Sequence, residues 1–229
     1  MNSISSYFLL LCLFIGSISC AQQNSYEENY TKTEYDIPMR DGVKLHTTVY
    51  SPKDTSQEYP FLMKRTPYSS RPYGETNFTK RLGPNPKLAE EGYIFVYQDV
   101  RGRWMSEGVF DNMRPYISDK KGDEIDEASD TYDTIEWLIN NVENNNGKLG
   151  VWGISYPGFY AAYALLSNHP ALVAASPQAP IGDFYFDDFH HNGAFLLSYW
   201  RVTALFGNMK SEPTDKPWYE FPDFGTEDQ

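Results

Sequence analysis

The segment KLGVWGISYPGF, residues 148–159, holds the residues best suited to chemistry. Its apolar run leads into Ser155, with Gly153 two residues before it and Gly158 three residues after it. A strand that ends in Gly-x-Ser and turns at once into a helix exposes the serine hydroxyl above the sheet, where it can act as a nucleophile. Pro157 fits the first turn of such a helix, because its missing N–H costs nothing there. A second interpretation stays open, in which Ser155 only caps the helix.

A serine nucleophile needs a base that takes its proton and a carboxylate that orients the base. In folds with this turn, both partners follow the serine after later strands. The chain contains four histidines. His46 precedes the serine, His169 directly follows the predicted helix, and His190 and His191 lie only one strand further on. We therefore expect the triad Asp and His to lie beyond residue 229.

Composition and charge limit the classes of partner. The chain has 229 residues, of which 41% are hydrophobic and 22% charged, as expected for one globular domain with a sizeable core. Its net charge of −12 repels phosphates and argues against a nucleic-acid partner. The same charge also serves solubility. The predicted chemistry needs only side chains, and we expect neither a cofactor nor a metal.

Residues 1–21 carry no charged side chain and read as a signal peptide. The apolar stretch Tyr7–Ile18 is too short to span a bilayer. Cleavage after Ala21 predicts an exported protein, either periplasmic or secreted. In an alternative, Cys20 is acylated and anchors a lipoprotein, which is the one membrane association that we consider. The only other cysteine also lies in this segment, so the mature domain has no disulfide.

The remaining sequence alternates between strand and helix patterns, which predicts a parallel α/β architecture. Residues 22–33 are polar and are expected to form a tether. From residue 184 onward the chain is aromatic and irregular. The predicted elements are a hairpin around Asp41-Gly42, strands at 59–68, Tyr93–Tyr97, Leu149–Gly153 and 172–180, and helices at Lys87–Glu91, Glu127–Val142 and Pro157–Ser167.

Six motifs in this order resemble the Xaa-Pro dipeptidyl-peptidase-like hydrolases, a family that includes cocaine esterases, glutaryl acylases and α-amino acid ester hydrolases. The resemblance runs from about Tyr35 to about Trp200. In that family the turn follows the pattern Gly-x-Ser-Tyr-x-Gly. The spacing of Gly153, Ser155 and Gly158 fits this pattern, in which the second glycine comes three residues after the serine. The motifs are MRDGVKL (39–45), RTPY (65–68), DVRGRWMSEG (99–108), YDTIEWL (132–138), NGKLGVWGISYPG (146–158) and DDFHHNGAF (187–195).

The resemblance implies a role for several residues. Ser155 matches the nucleophile, and the backbone N–H of Tyr156 matches one oxyanion donor. Tyr68 matches the second donor, a phenol hydroxyl. Asp188, with its neighbour Asp187, matches a position where a carboxylate binds the substrate ammonium, although these two residues also fit a solvated turn.

A framework motif accompanies these site residues. Asp99, Arg101 and Gly102 match family positions that take no direct part in the chemistry, and we expect Arg101 to pair with a carboxylate.

The resemblance also implies an incomplete α/β-hydrolase fold. Residues 34–229 match the N-terminal part of the catalytic domain, with the cap starting near residue 184. The last strands, most of the cap and a C-terminal jelly-roll domain are missing, and we expect this chain alone to be inactive. The implied function is a serine hydrolase that forms an acyl-enzyme with an ester, an amide or a short peptide. The alternatives are an Xaa-Pro dipeptidyl-peptidase and, in another class, a non-catalytic binding module.

Overall fold

The computed structural model describes residues 26–183, 185–197 and 200–220. The predicted signal peptide, with Cys20, lies outside the described residues, as does the start of the predicted tether. The elements are α1 (Tyr26–Asn29), β1 (Tyr30–Pro38), β2 (Lys44–Pro52), β3 (Tyr59–Thr66), α2 (Pro86–Glu91), β4 (Ile94–Asp99), α3 (Glu127–Asn141), β5 (Asn145–Ile154), α4 (Tyr156–Ala164), β6 (Leu172–Gln178), β7 (His190–His191), β8 (Ala194–Phe195) and α5 (Trp200–Gly207).

Six strands form a mixed sheet in the order β1-β2-β4-β3-β5-β6. Strands β3, β4, β5 and β6 are parallel, and β2 joins β4 in the antiparallel sense. The carboxyl ends of the parallel strands therefore meet at one edge, where Thr66 pairs with Asp99 and Ile154 pairs with Gln178. The parallel α/β prediction is confirmed for these four strands, and the loops that follow them share one end of the sheet.

The hairpin of β1 and β2 confirms the turn predicted at Asp41-Gly42. The amide of Met39 donates to the carbonyl of Val43 at 2.8 Å, and Gly42 adopts a φ of 86° that favours glycine. Pairing runs without a shift from Tyr30 opposite Pro52 to Pro38 opposite Lys44.

The predicted tether over residues 22–33 is wrong from Tyr26 onward, because this polar segment forms α1 and the start of β1. Tyr30 is buried and its hydroxyl donates to the carbonyl of Ala89. The ammonium of Lys32 is also buried, and it donates to Glu34 and to three backbone carbonyls of a distant loop. These partners satisfy polar groups that would otherwise stay in solvent, and sequence periodicity does not reveal them.

Strand β5 starts four residues earlier than predicted. The segment NNNG (144–147) lies outside the predicted strand Leu149–Gly153, yet Asn145 pairs with Tyr59 of β3. The helix itself ends at Asn141, and the amide of Val142 closes its last turn on the carbonyl of Leu138. Its start is fixed by a capping box between Asp126 and Ser129.

The main core lies between the sheet and helices α3 and α4. Buried apolar side chains of β1 to β5 meet Ile135 and Leu138 of α3 and Ala161 and Ala164 of α4. A second cluster beside it joins Val100 and Phe110 to aromatic residues at the start of α4. Among the described residues, no helix is both long and apolar enough to cross a membrane.

A buried ion network ties the framework motif to this core. Arg101 donates to both carboxylate oxygens of Asp130 on α3 and to both of Asp41 in the hairpin turn. The expectation that Arg101 pairs with a carboxylate is therefore confirmed. Arg65 of β3 extends the network to Gln98 of β4 and to the first turn of α3, where it lies 3.2 Å from the carboxylate of Glu127.

Candidate active site

Ser155 lies in a strained turn between β5 and α4. Its backbone has φ 62° and ψ −124°, a conformation that a residue with a side chain adopts only at an energetic cost. Its amide donates to the carbonyl of Gln178 at 2.9 Å, and its own carbonyl accepts from Phe159 at 3.1 Å. Its side chain makes no capping hydrogen bond. The geometry is that of a nucleophile elbow. The alternative, in which Ser155 only caps the helix, lacks the side-chain hydrogen bond that defines such a cap.

Two glycines allow the helix to approach the strands at this turn. A β-carbon placed on Gly153 would lie 2.0 Å from the carbonyl oxygen of Pro157. One placed on Gly158 would lie 2.4 Å from the carbonyl oxygen of Gln178 in β6. Helix α4 and the strands therefore approach each other closely at Gly158, three residues after Ser155.

Tyr68 follows β3 at the same edge of the sheet. Its side chain is 43% exposed, and its ring meets that of Tyr156 edge-on, with 6.3 Å between the ring centroids. Burial raises the pKa of the Tyr68 hydroxyl, Arg103 opposes this rise, and the charge of Asp188 adds to it. Because the pKa lies above its ordinary value, the hydroxyl keeps its proton and remains a hydrogen-bond donor at neutral pH.

Tyr156 is the first residue of α4. A backbone N–H at this position has no partner within the helix and lies at the positive end of the helix dipole. The phenol of Tyr156 has partners elsewhere. Its oxygen donates to Asn112 at 2.7 Å and accepts from the amide of Met113 at 2.9 Å. The side chain of Tyr156 therefore anchors the start of α4.

The two predicted carboxylates lie in a π-helical turn, Tyr185–Phe189. Asp188 is half-buried, and its charge contributes to the raised pKa of the Tyr68 hydroxyl. The side chain of Asp187 lies outside the described part of the molecule.

Three of the four histidines have side-chain partners other than Ser155. The ring of His46 contacts Asp36 at 3.3 Å, that of His169 contacts Glu136 at 3.1 Å, and that of His190 stacks on Tyr185. Within residues 26–183, 185–197 and 200–220, no histidine hydrogen-bonds to Ser155. The same described residues contain no group of His, Cys, Asp and Glu placed to hold a metal ion.

Comparison with known proteins decides the family. The sequence model of the X-Pro dipeptidyl-peptidase (S15) family matches residues 41–221, most of the chain. The chain belongs to this family. It is also 31% identical over 173 residues to the cocaine esterase of Rhodococcus sp. (strain MB1 Bresler), a match that covers 75% of this chain and 26% of that protein.

Solved structures agree with the S15 assignment. An α-amino acid ester hydrolase is 38% identical, with a TM-score of 0.67, over 82% of this chain and 31% of its own. An aminopeptidase from a marine sediment archaeon, Thaumarchaeota archaeon, is 32% identical with a TM-score of 0.71, over 85% of this chain and 32% of its own. These matches confirm the predicted α/β-hydrolase fold. The chain spans about a quarter to a third of the length of these relatives.

Two residues of this S15-family site were not predicted from the sequence. Phe206 of α5 packs against the rings of Tyr68 and Tyr156, with centroids 5.9 and 5.0 Å away. Arg103 is fully buried, and its charge reaches Tyr68. The signal for Arg103 is its place in the DVRGRW motif. No local signal points to Phe206, because its partners lie far away in the chain.

The glycine requirement predicts that Gly153→Ala distorts the elbow. The added methyl group meets the main chain of Pro157, which cannot move without displacing α4. We expect the purified full-length protein to lose at least about tenfold in the rate at which a fluorophosphonate labels Ser155. Gly150→Ala is the matched control on the same strand, because its β-carbon would lie 3.6 Å from Leu62, an ordinary contact. Equal labelling of both variants would contradict the close-approach argument.

Proposed function

We propose that this chain carries the nucleophile and both oxyanion donors of a serine hydrolase that acts on esters or amides. The observation that carries the proposal is the conformation of Ser155. A serine held at a positive φ between two glycines, with no capping bond, is difficult to explain by helix formation alone. Family membership and the relatives named as esterase, ester hydrolase and aminopeptidase support the same reaction class.

The proposed reaction proceeds through an acyl-enzyme. The Ser155 oxygen attacks the substrate carbonyl carbon as a base removes its proton, and the carbonyl oxygen becomes an oxyanion. Collapse of this intermediate breaks the ester or amide bond, and the leaving group takes a proton from the base. Water then releases the acid and restores the serine. We expect a histidine and a carboxylate outside these 229 residues to act as the base and its orienting group.

The oxyanion would be held by one main-chain donor and one side-chain donor. The first is the N–H of Tyr156, at the start of α4. The second is the hydroxyl of Tyr68, whose ring already lies against that of Tyr156. Donors that are aligned before the reaction stabilise the developing charge without the cost of reorganising solvent.

The substrate is proposed to carry a free α-amino group. The charge of Asp188 is felt at the Tyr68 hydroxyl, and we propose that a substrate bound across the oxyanion donors turns its ammonium toward this carboxylate. Attraction between unlike charges grows as the surroundings exclude water. The similar α-amino acid ester hydrolase supports this substrate class. The family name favours a second candidate, a peptidase that releases dipeptides from an N-terminus, which also presents an ammonium.

The nucleophile is tested with the full-length enzyme. We expect a fluorophosphonate to label Ser155 and Ser155→Ala to abolish hydrolysis of p-nitrophenyl esters without changing the circular dichroism spectrum. Labelling that persists in the Ala variant would exclude Ser155 as the acyl acceptor. A native enzyme that hydrolyses neither esters nor Gly-Pro anilides would favour the non-catalytic binding module.

The phenol donor is tested with Tyr68→Phe, which removes one hydroxyl and little volume. Loss of an oxyanion donor lowers kcat by about 100- to 1,000-fold. Tyr156→Phe is the control at the other donor, because it keeps the backbone N–H, and we expect a loss below about tenfold. A loss below about threefold for Tyr68→Phe would mean that Tyr68 only packs.

The ammonium site is tested with Asp188→Asn. If its carboxylate attracts the substrate amine, KM rises about tenfold or more for α-amino esters and stays within about twofold for acetyl esters. Steady-state kinetics on the two substrate series measure this difference directly. Equal effects on both series would assign Asp188 a structural role instead.

A further inference from the structure

We propose that Asp99 and Tyr73 are positioning residues that hold the loop after β3 so that Tyr68 presents its hydroxyl to the oxyanion. The inference rests on the proposed donor role of Tyr68. It concerns residues that do not touch the substrate and act through the main chain on either side of Tyr68.

Asp99 is a fully buried carboxylate at the carboxyl end of β4. One of its oxygens accepts from the amide of Ser70 at 2.6 Å. The other accepts from the hydroxyl of Tyr73 at 2.7 Å and from the amide of Met105 at 3.2 Å. None of the ion pairs among the described residues involves Asp99. A buried carboxylate with these partners is satisfied by directional hydrogen bonds, which fix the position of the groups that donate them.

The same loop after β4 holds the residue before Tyr68. The carbonyl of Pro67 accepts from the side chain of Arg103 at 3.2 Å and from the indole of Trp104 at 3.0 Å. The main chain is therefore held at Pro67 and again at Ser70, one residue before and two residues after Tyr68.

No hydrogen bond among the described residues fixes the phenol of Tyr68. Its ring contacts Tyr156 and Phe206, and among the hydrogen bonds of the described residues only its amide takes part, donating to Thr66. With a side chain that is partly exposed, the position of the hydroxyl depends on where the backbone places it.

Tyr73 also supports a strained residue beside Tyr68. Ser69 has a φ of 113°, which is unfavourable for any residue except glycine. The hydroxyl of Ser69 lies 3.0 Å from that of Tyr73, and it also accepts from the amide of Arg71. The hydroxyl of Tyr73 in turn donates to Asp99. A strained backbone conformation stays populated only where surrounding contacts such as these hydrogen bonds hold it. The chain of contacts from Asp99 through Tyr73 to Ser69 therefore ends next to the proposed oxyanion donor.

The test is a double-mutant cycle in the full-length enzyme. Tyr73→Phe and Asp99→Asn are each combined with Tyr68→Phe, and kcat and KM are measured on p-nitrophenyl acetate. We expect kcat to fall about tenfold for Tyr73→Phe and more for Asp99→Asn, with KM within about twofold. In the Tyr68→Phe background each should cost less than about twofold, because the hydroxyl that they position is already absent. Tyr59→Phe is the matched control, since its hydroxyl donates to Asp54 at the opposite end of β3.

The outcomes separate the two claims. Losses that multiply with that of Tyr68→Phe, or an unchanged kcat in Tyr73→Phe, would overturn the positioning role. If Asp99→Asn does not fold, Tyr73→Phe decides alone, with its melting temperature measured against that of Tyr59→Phe. A loss below about threefold in Tyr68→Phe itself would instead reject the proposed donor role. A large loss in Tyr68→Phe with none in Tyr73→Phe would reject only the positioning role.

Discussion

Helix α4 starts directly after Ser155, and its first turn lies against the main chain of β5 and β6. This contact leaves no room for a β-carbon at Gly153 or Gly158. The distance between helix and strands in turn forces Ser155 into its unusual backbone conformation. The direction of the serine side chain, the direction of the Tyr156 amide and the start of the helix dipole all follow from this one close approach.

The rest of the site is built by the neighbouring strands. Strands β3 and β4 are parallel and adjacent, so the loops that follow them emerge side by side. The last residue of β4 supplies a carboxylate, and the loop after it supplies a guanidinium and an indole; all three bind the loop that contains Tyr68. These hydrogen bonds fix the main chain on either side of Tyr68. The aromatic cluster of Tyr156 and Phe206 packs against the ring of Tyr68.

Two buried arginines link the sheet to helix α3 and to the hairpin turn. Arg65 joins β3 to β4 and to α3, and Arg101 joins the loop after β4 to α3 and to the hairpin turn. Burial raises the pKa of Glu127, in the first turn of α3, to about 7, although the nearby Arg65 lowers it. Removing one partner of such a buried network typically costs more than the pair contributes, because the remaining charge stays without solvent.

Much of this could be predicted from the sequence, because the signals are local. Periodic apolar residues predicted α3, a short apolar run predicted β3, and the residues around Ser155 predicted the elbow and the helix after it. The boundaries of β1 and β5 could not be predicted in this way. Their first residues are mostly polar, and Lys32 and Asn145 find their partners far away in the chain.

The sequence by itself therefore determined most of the element types, the turn at Ser155 and, by resemblance, the residues of the candidate site. Only the tertiary structure decided how these residues are held. Ser70 and Asp99 are separated by 29 positions, and nothing local to either residue indicates that they share a hydrogen bond. Strand order and the meeting of the carboxyl ends of β3 and β4 at one edge bring Ser70 and Asp99 together, and these are properties of the folded sheet. Phe206 of α5 likewise contacts Tyr68 and Tyr156 although it lies far from both in the chain.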